Sequence, residues 1–570
     1  MGFSRSKVAM RQGYLWMLLT IGLWASGCGE TAPNFVHTNS PVNTRPQLSG
    51  EVTYWRLHPQ SEVERDSGRR LPAVLDFSSP ERRPVRYARI ELLDEDGERL
   101  ESGNTDGDGQ YRLEIPTGVG PVRVRVYSES VEVAGQSAPI SVRDNTEGGA
   151  IYAVESDPVE RQSLKVDIEI PTGYDEEGEQ TGASRPSAPF ACLDGVLTGY
   201  RYMLAGGVDS STLPLCVVNW SQRNRPESGE ISQGQIQTSN FSFGLNELFI
   251  LGFREADTDE FDWHIMIHEL GHWIQANRFR YDRVGGSHAA GESKDPRLAF
   301  AEGFGNAFGG LALDDPIYKD TATPSGFSYS LECNGTFPGW FSETSIEAIL
   351  YDLFDPLRSE GGDSAFDDRL SFGATKFVAA MDFQKSSSAL TTIFSFLHGL
   401  VGTELAENEL VGLTSLLQRE SPTPTHGIDS LNEFAVGETH DGGLYPLPVY
   451  TDLSGVIGAA PLPVTVGGQS SSDALNWLSG VRFFTFVGDG DPLTITLKNS
   501  TSAVGHLAMS LYESGQEVDD DDDDDDDEDG EYDPFEDFVL TRATRSGSIY
   551  VLVVVNLATE SSTADLLLTR

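Results

Sequence analysis

Residues 257–279 read DTDEFDWHIMIHELGHWIQANRF, and no other stretch restricts so tightly what the chain can become. The run after Asp262 is apolar, contains no proline and carries histidines at 268 and 272. On a helix, residues i and i+4 stack one turn apart on the same face. Two imidazoles so placed can meet one tetrahedral Zn²⁺ at about 2.0–2.1 Å. Glu269 points about 100° away around the helix, so it can act as general base toward a metal-activated water without ligating the metal. Asp257 and Glu260, three apart, predict a capping-box-like start. His264 lies one turn before His268 on the same face, as a neighbour of the ligands.

A zinc centre needs a third protein ligand and one open position. His288, Glu292, Asp295 and Glu302 are the candidates downstream. The segment DPRLAFAEGFGNAFGGLAL predicts a second helix, with Asp295 at the N-cap and Pro296 at the first position. Glu302 then lies well inside it, and Asn306 follows one turn later. Gly303, Gly305, Gly309 and Gly310 are poor helix formers. Close approach to the motif helix would account for them. The pair HELGHW and AFAEGFGNAF resembles the gluzincin class of metallopeptidases over roughly residues 185–360. The resemblance implies His268, His272 and Glu302 as zinc ligands and Glu269 as general base. It also implies that Asn306 orients a zinc-binding histidine, at a position where the class often has Asp. Such enzymes often stabilise the oxyanion with a Tyr or His. Tyr351, on a predicted amphipathic helix over 339–355, and His288 are the candidates.

Composition bounds the rest. The 570 residues exceed what one core accommodates and predict about three or four domains. A net charge of −48, from 88 acidic and 40 basic residues, argues against nucleic acid as a partner, and no Lys/Arg stripe is present. Arg5, Lys7 and Arg11 precede the apolar YLWMLLTIGLW (14–24), a signal-peptide pattern too short for a comfortable permanent span. ASGC, ending at Cys28, resembles the bacterial lipobox, although Ala25 stands where Leu is usual. The resemblance implies lipidation at Cys28 and a membrane anchor. Gly29 in place of an Asp retention signal favours the outer membrane or cell surface.

The expected organisation is multidomain α+β. Residues 1–27 are a lipoprotein signal peptide and 28–45 a flexible tether. Residues 46–146 alternate polar and apolar residues around Asp-Gly turns. SGEV, ARIELLD and TDGDGQYRLEIPTG resemble the carboxypeptidase regulatory-like domain, a prealbumin-like β-sandwich. Residues 147–450 are the expected mainly helical, zincin-like catalytic domain, with an amphipathic helix through Phe190, Leu193, Leu197, Tyr200 and Leu204. In residues 451–570, six predicted strands resemble the pre-peptidase C-terminal domain, a jelly-roll-like β-sandwich. That block holds Asp519–Asp527, a solvated, self-repelling loop. Of the four cysteines, Cys192 is expected to be buried and Cys216 to bridge Cys333.

The expected function is an exported, lipid-anchored zinc metallopeptidase acting on a protein or peptide substrate, with one catalytic Zn²⁺. A surface binding or scaffold lipoprotein with a protease-derived core, and a zinc hydrolase of a non-peptide bond, are the alternatives. Ca²⁺ at NTDGDG, at DTDEFD or at the aspartate run is a weaker expectation. Turn and cap chemistry account for the first two more simply.

Overall fold

The computed structural model describes residues 46–570, except 65–67, 161–164, 283, 334–337, 357–369, 421–427, 429, 437–438, 441–446, 470–474, 500–506 and 521–536. Cys28 and most of the Asp519–Asp527 run lie outside the described residues.

Seven strands come first: β1 (Gln47–Ser61), β2 (Ala73–Pro84), β3 (Ala88–Leu93), β4 (Arg99–Asn104), β5 (Gln110–Glu114), β6 (Arg123–Val133) and β7 (Gln136–Asp144). Short strands β8 (Ala150–Ile151), β9 (Ala153–Glu155) and β10 (Ile168–Ile170) follow. β1 pairs with β2, β5 and β10 in one sheet, while β3, β4, β6 and β7 belong to another. Alternate residues of both sheets, such as Leu48, Val52, Ile90 and Val124, enter one core. The aspartates act as turn formers. Asp94 Oδ1 accepts from the N–H groups of Asp96 and Glu98, and Asp106 Oδ1 from those of Asp108 and Gln110.

The boundary expected at residue 146 falls inside a continuous sheet. After α1 (Ala188–Ala205), strand β11 (Cys216–Trp220) pairs in parallel with β7. β12 (Asn240–Ser242) and β13 (Glu247–Ile250) extend the sheet to the order β12-β13-β11-β7-β6-β3-β4. A parallel pair needs a crossover, and α1 supplies it. Its buried face includes the predicted Phe190, Leu193, Leu197 and Tyr200. α1 also carries Asp194, 2% exposed, which binds the first sheet to the helix. Tyr54 Oη donates to Asp194 Oδ2 at 2.7 Å, Arg83 Nε at 3.2 Å, and Arg86 pairs with Oδ1. Cys216 is a free, buried thiol on β11, so the expected bridge to Cys333 is not formed; Cys192 is buried as expected.

A hairpin of β14 (Gly252–Phe253) and β15 (Asp257–Thr258) leads into α2 (Trp263–Arg278). Next come α3 (Pro296–Leu313), the antiparallel pair β16 (Ile317–Asp320) and β17 (Phe327–Ser330), then α4 (Glu343–Phe354). α5 (Gly373–Ser386), α6 (Ile393–Val401) and α7 (Glu407–Glu420) complete seven α-helices among the described residues. α2 starts at Trp263, after the expected capping box. Asp257 is in a strand, Glu260 pairs with Arg185 at 2.6 Å, and Asp262, the N-cap residue, makes no side-chain cap. Among the described residues, no helix is long and apolar enough to cross a membrane.

The C-terminal strands form two sheets. Tyr450–Asp452, Val481–Val487, Leu507–Glu513, Gln516–Asp520 and Ile549–Asn556 make a five-stranded sheet. Leu462–Val466, Pro492–Asn499, Phe538–Ala543 and Ser562–Thr569 make a four-stranded one. Phe484, Phe486, Leu552 and Val554 point into the core between these sheets, whereas Phe483, Val551 and Val553 join the core of the helices. The near-continuous apolar run IYVLVVV follows, because a strand buried on both faces has no polar side.

Replacing Asp194 by Ala leaves Arg86 buried without its carboxylate. Urea unfolding of that variant is expected to show a loss of about 3–5 kcal/mol.

Candidate metal centre

α2 and α3 cross through their glycines. An ideal Cβ on Gly271 would lie 3.4 Å from Gly305 Cα, and one on Gly309 would lie 3.1 Å from the His264 carbonyl oxygen. Gly305 lies under the His268 ring, where a Cβ would come within 2.7 Å of Nδ1. Gly303 and Gly310 serve other neighbours, meeting Ile346 of α4 and Leu331 respectively. At the head of α3, Pro296 takes the first turn and Asp295 Oδ1 accepts from the Arg297 N–H at 2.9 Å, as the sequence predicts.

This crossing brings three donors together. His268 Nε2 is 3.0 Å from His272 Nε2 and 3.1 Å from Glu302 Oε2, and His272 Nε2 is 3.3 Å from the same oxygen. A tetrahedral Zn²⁺ bound at 2.0–2.1 Å spaces its donors about 3.3–3.4 Å apart. All three residues are buried.

The hydrogen bonds fix what those atoms present. Asn306 Nδ2 donates to Glu343 Oε1 at 3.1 Å and to Glu347 Oε2 at 2.8 Å. Its Oδ1 therefore accepts, and His268 Nδ1–H donates to it at 2.7 Å. The neutral His268 ring then aims the lone pair of Nε2 at Glu302 and His272. An acceptor cluster of this kind calls for a cation or a proton at its centre, and the N₂O donor set suits Zn²⁺. With protons alone, burial pulls His268 down, but the hydrogen bond to Glu302 and the charges of Glu269 and Glu302 outweigh it and lift the ring to about 9. Burial works to raise Glu302, yet His272, His288 and the hydrogen bonds from His268 and His272 hold it well below the usual carboxylate range.

Glu269 is not a member of the cluster. Its Oε1 lies 4.0 Å from His268 Nε2, and its Oε2 accepts from the Phe241 N–H of β12 at 2.7 Å. Burial is the main cause that raises its pKa. His288 stands across the centre, with Nε2 3.3 Å from Glu302 Oε2 and Nδ1 2.9 Å from Glu343 Oε2. Burial lowers this imidazole, but Glu302 and Glu343 outweigh it and raise it to about 9. His288, Glu269 and the three donors line one cavity of about 850 Å³.

The structure brings together His268, Glu269, His272, His288, Glu302 and Asn306. Tyr351 is elsewhere: fully buried on α4, its ring packs against α3 at Gly310 and does not line the cavity. Glu292 lies 3.1 Å from Lys294, and His264 Nε2 lies 3.2 Å from the Asp315 carbonyl oxygen. Burial lowers His264 to about 4. Sequence reasoning missed Glu347, whose Oε2 also accepts from Tyr329 Oη at 3.1 Å. Burial, then the charge of Glu343, raises it well above the usual range. The i, i+4 pair Glu343 and Glu347 on one helix was a usable signal. The Phe241 N–H, a backbone group, had none.

No protein-family model matches the chain, and no curated protein matches it. Among solved structures, the pre-peptidase C-terminal domain of a collagenase from Bacillus anthracis is similar at 13% identity over 21% of this chain and 93% of that one, with a TM-score of 0.14. CorA, a surface-associated copper-binding protein of Methylomicrobium album BG8, is similar at 12% identity over 21% and 96%, with a TM-score of 0.16. PliG, a periplasmic inhibitor of g-type lysozyme from Aeromonas hydrophila, is similar at 13% identity over 21% and 94%, with a TM-score of 0.14.

Gly305→Ala forces either the His268 ring or the helix crossing to move. Chemical denaturation is expected to show a loss of about 1–3 kcal/mol. Gly182→Ala, where nothing lies within 4 Å of the added carbon, should stay within about 0.5 kcal/mol of the parent.

Proposed function

We propose that this protein is an exported zinc metallopeptidase, anchored by lipid at Cys28 on the outer membrane or cell surface. The observation that carries the proposal is the convergence of the donor atoms of His268, His272 and Glu302 at near-tetrahedral spacing, with the Glu269 carboxylate beside them. A Zn²⁺ there would supply Lewis acidity, polarising a carbonyl and acidifying a water molecule toward a pKa of about 7.

The residues of the chain do the remainder. Glu269 takes the proton of the attacking water and passes it to the leaving amine. Its hydrogen bond from the Phe241 N–H fixes its direction. Asn306 holds the His268 ring in the tautomer that leaves Nε2 bare. His288 stands within reach of the centre as the donor to a developing oxyanion, a role for which Tyr351 is misplaced. β12 supports a peptide substrate. It is the edge strand of its sheet, and its Asn240 and Phe241 line the cavity. The Phe241 N–H is taken by Glu269, and the remaining outward backbone groups of such an edge are what an extended peptide can add to.

Purified protein is expected to hold about one zinc per chain and to cleave casein in a chelator-sensitive way. Glu269→Gln should keep the zinc and lose roughly 10²–10⁴-fold in turnover, and Glu302→Ala should lose the zinc. Stoichiometric zinc with no cleavage of casein or a peptide panel would sink the peptidase assignment and favour a non-peptide substrate or a binding role.

A further inference from the structure

The same cavity has a second acidic wall that the proposed chemistry does not use. Asp257 on β15, Asp259 in the 3₁₀ turn before α2, and Asp320 at the end of β16 each bring a carboxylate oxygen within 4.8 Å of the others. Two oxygens on opposite sides of a Ca²⁺ ion bound at 2.3–2.6 Å stand about 4.6–5.2 Å apart. The three residues line the cavity.

Acidic side chains often gather without a ligand, so the unpaired atoms decide the matter. Asp259 is 3% exposed. Its Oδ2 accepts from the Ser239 hydroxyl, while its Oδ1 is buried with no hydrogen-bond partner. Asp257 Oδ1 is buried and unpartnered as well. Asp262, which is fully buried, repeats the pattern. Its Oδ2 accepts from the N–H and hydroxyl of Thr321 at 2.6 and 2.8 Å, and its Oδ1 has no partner. No salt bridge reaches these four aspartates among the described residues. The facing cation is Arg70, which acts on Asp320 from a distance while its guanidinium stacks 3.4 Å above the Phe327 ring. Buried carboxylate oxygens without donors cost free energy unless a cation or a proton meets them.

We propose that Asp257, Asp259 and Asp320, with Asp262 behind them, form a Ca²⁺ site beside the zinc centre. The donor set is all oxygen and rich in carboxylates, which selects a hard cation over Zn²⁺. Its irregular arrangement, from a hairpin, a turn and a distant strand end, selects Ca²⁺ over Mg²⁺, which demands a near-ideal octahedron and keeps its waters. The ion ties β15 and β16 together at the point where the chain enters α2. The site does not depend on zinc.

The test is a CaCl₂ titration of the zinc-loaded full-length chain, followed by calorimetry and thermal unfolding. The parent protein is expected to bind Ca²⁺ at this site and to gain roughly 2–4 °C in Tm at about 5 mM CaCl₂. Asp259→Asn and Asp320→Asn should lose that increment. Their calcium-free Tm should match or exceed the parent's, since each removes a buried like charge, and this outcome separates a lost site from a damaged fold. Glu302→Gln should keep the calcium response, so failure of the zinc assignment and failure of this one are distinguishable. A rise of equal size in parent and Asn variants would overturn the proposal by placing the ion elsewhere, for instance on the aspartate run. So would no rise in the parent, or an equal response to MgCl₂.

Discussion

Helices α2 and α3 meet backbone to backbone, and the donor geometry depends on that contact. A methyl group at Gly271 or Gly309 would crowd the crossing, and one at Gly305 would displace the His268 ring or the helix. Glu302 would then leave the two histidines it now approaches within 3.1 and 3.3 Å. Glycines inside a helix cost about 1 kcal/mol each relative to alanine, and α3 contains four. The cost is offset by burial on every side. Phe300, Phe304 and Phe308 of α3 are all essentially inaccessible, and Phe304 stacks on Phe308 and on Phe377 of α5. The helices are therefore placed by packing, and the polar centre is built into a frame that would hold without it.

The polar chain that leaves this centre extends well past the three donors. It runs from His268 through Asn306 to Glu343 and Glu347, and from there to Tyr329. A carboxylate in place of Asn306 would add a further negative charge beside Glu343 and Glu347 in a space with little water. The amide instead orients the imidazole with its carbonyl and quiets both carboxylates with its two N–H protons. The amide at position 306 thus has a local electrostatic reason.

Much of this is legible in the sequence alone. The i, i+4 histidines, the Asp295-Pro296 start, the glycine-rich helix and the six C-terminal strands each carry a local signal that tertiary structure did not override. The failures share one cause. Asp257 and Glu260 have the spacing of a capping box, but Glu260 is drawn to Arg185, far off in sequence, and α2 begins only at Trp263. The boundary at 146 looked natural because composition changes there, yet β7 finds its parallel partner in β11, across a helix. Tyr351 shares a helix with Glu343 and Glu347 but sits on the wrong part of it. Spacing along the chain reports faces of one element; it is silent on which distant element each face meets.

The C-terminal sandwich is also tied to the head of α3. Asn476 accepts from the Asp295 N–H at 2.8 Å through its carbonyl oxygen, and its side chain reaches the carbonyls of Gly285 and Ser287, next to His288. Lys294 Nζ lies 3.2 Å from Asn476 Oδ1 and 4.8 Å from the Trp477 ring. These partners are more than 180 residues apart in the chain. Domains generally fold as they emerge, the N-terminal ones first. Here the loop bearing His288 stays unfinished until residues from the last module arrive. A newly made molecule therefore carries its motif helix for some time before the loop beside it is complete, and that interval is set by the order of the sequence itself.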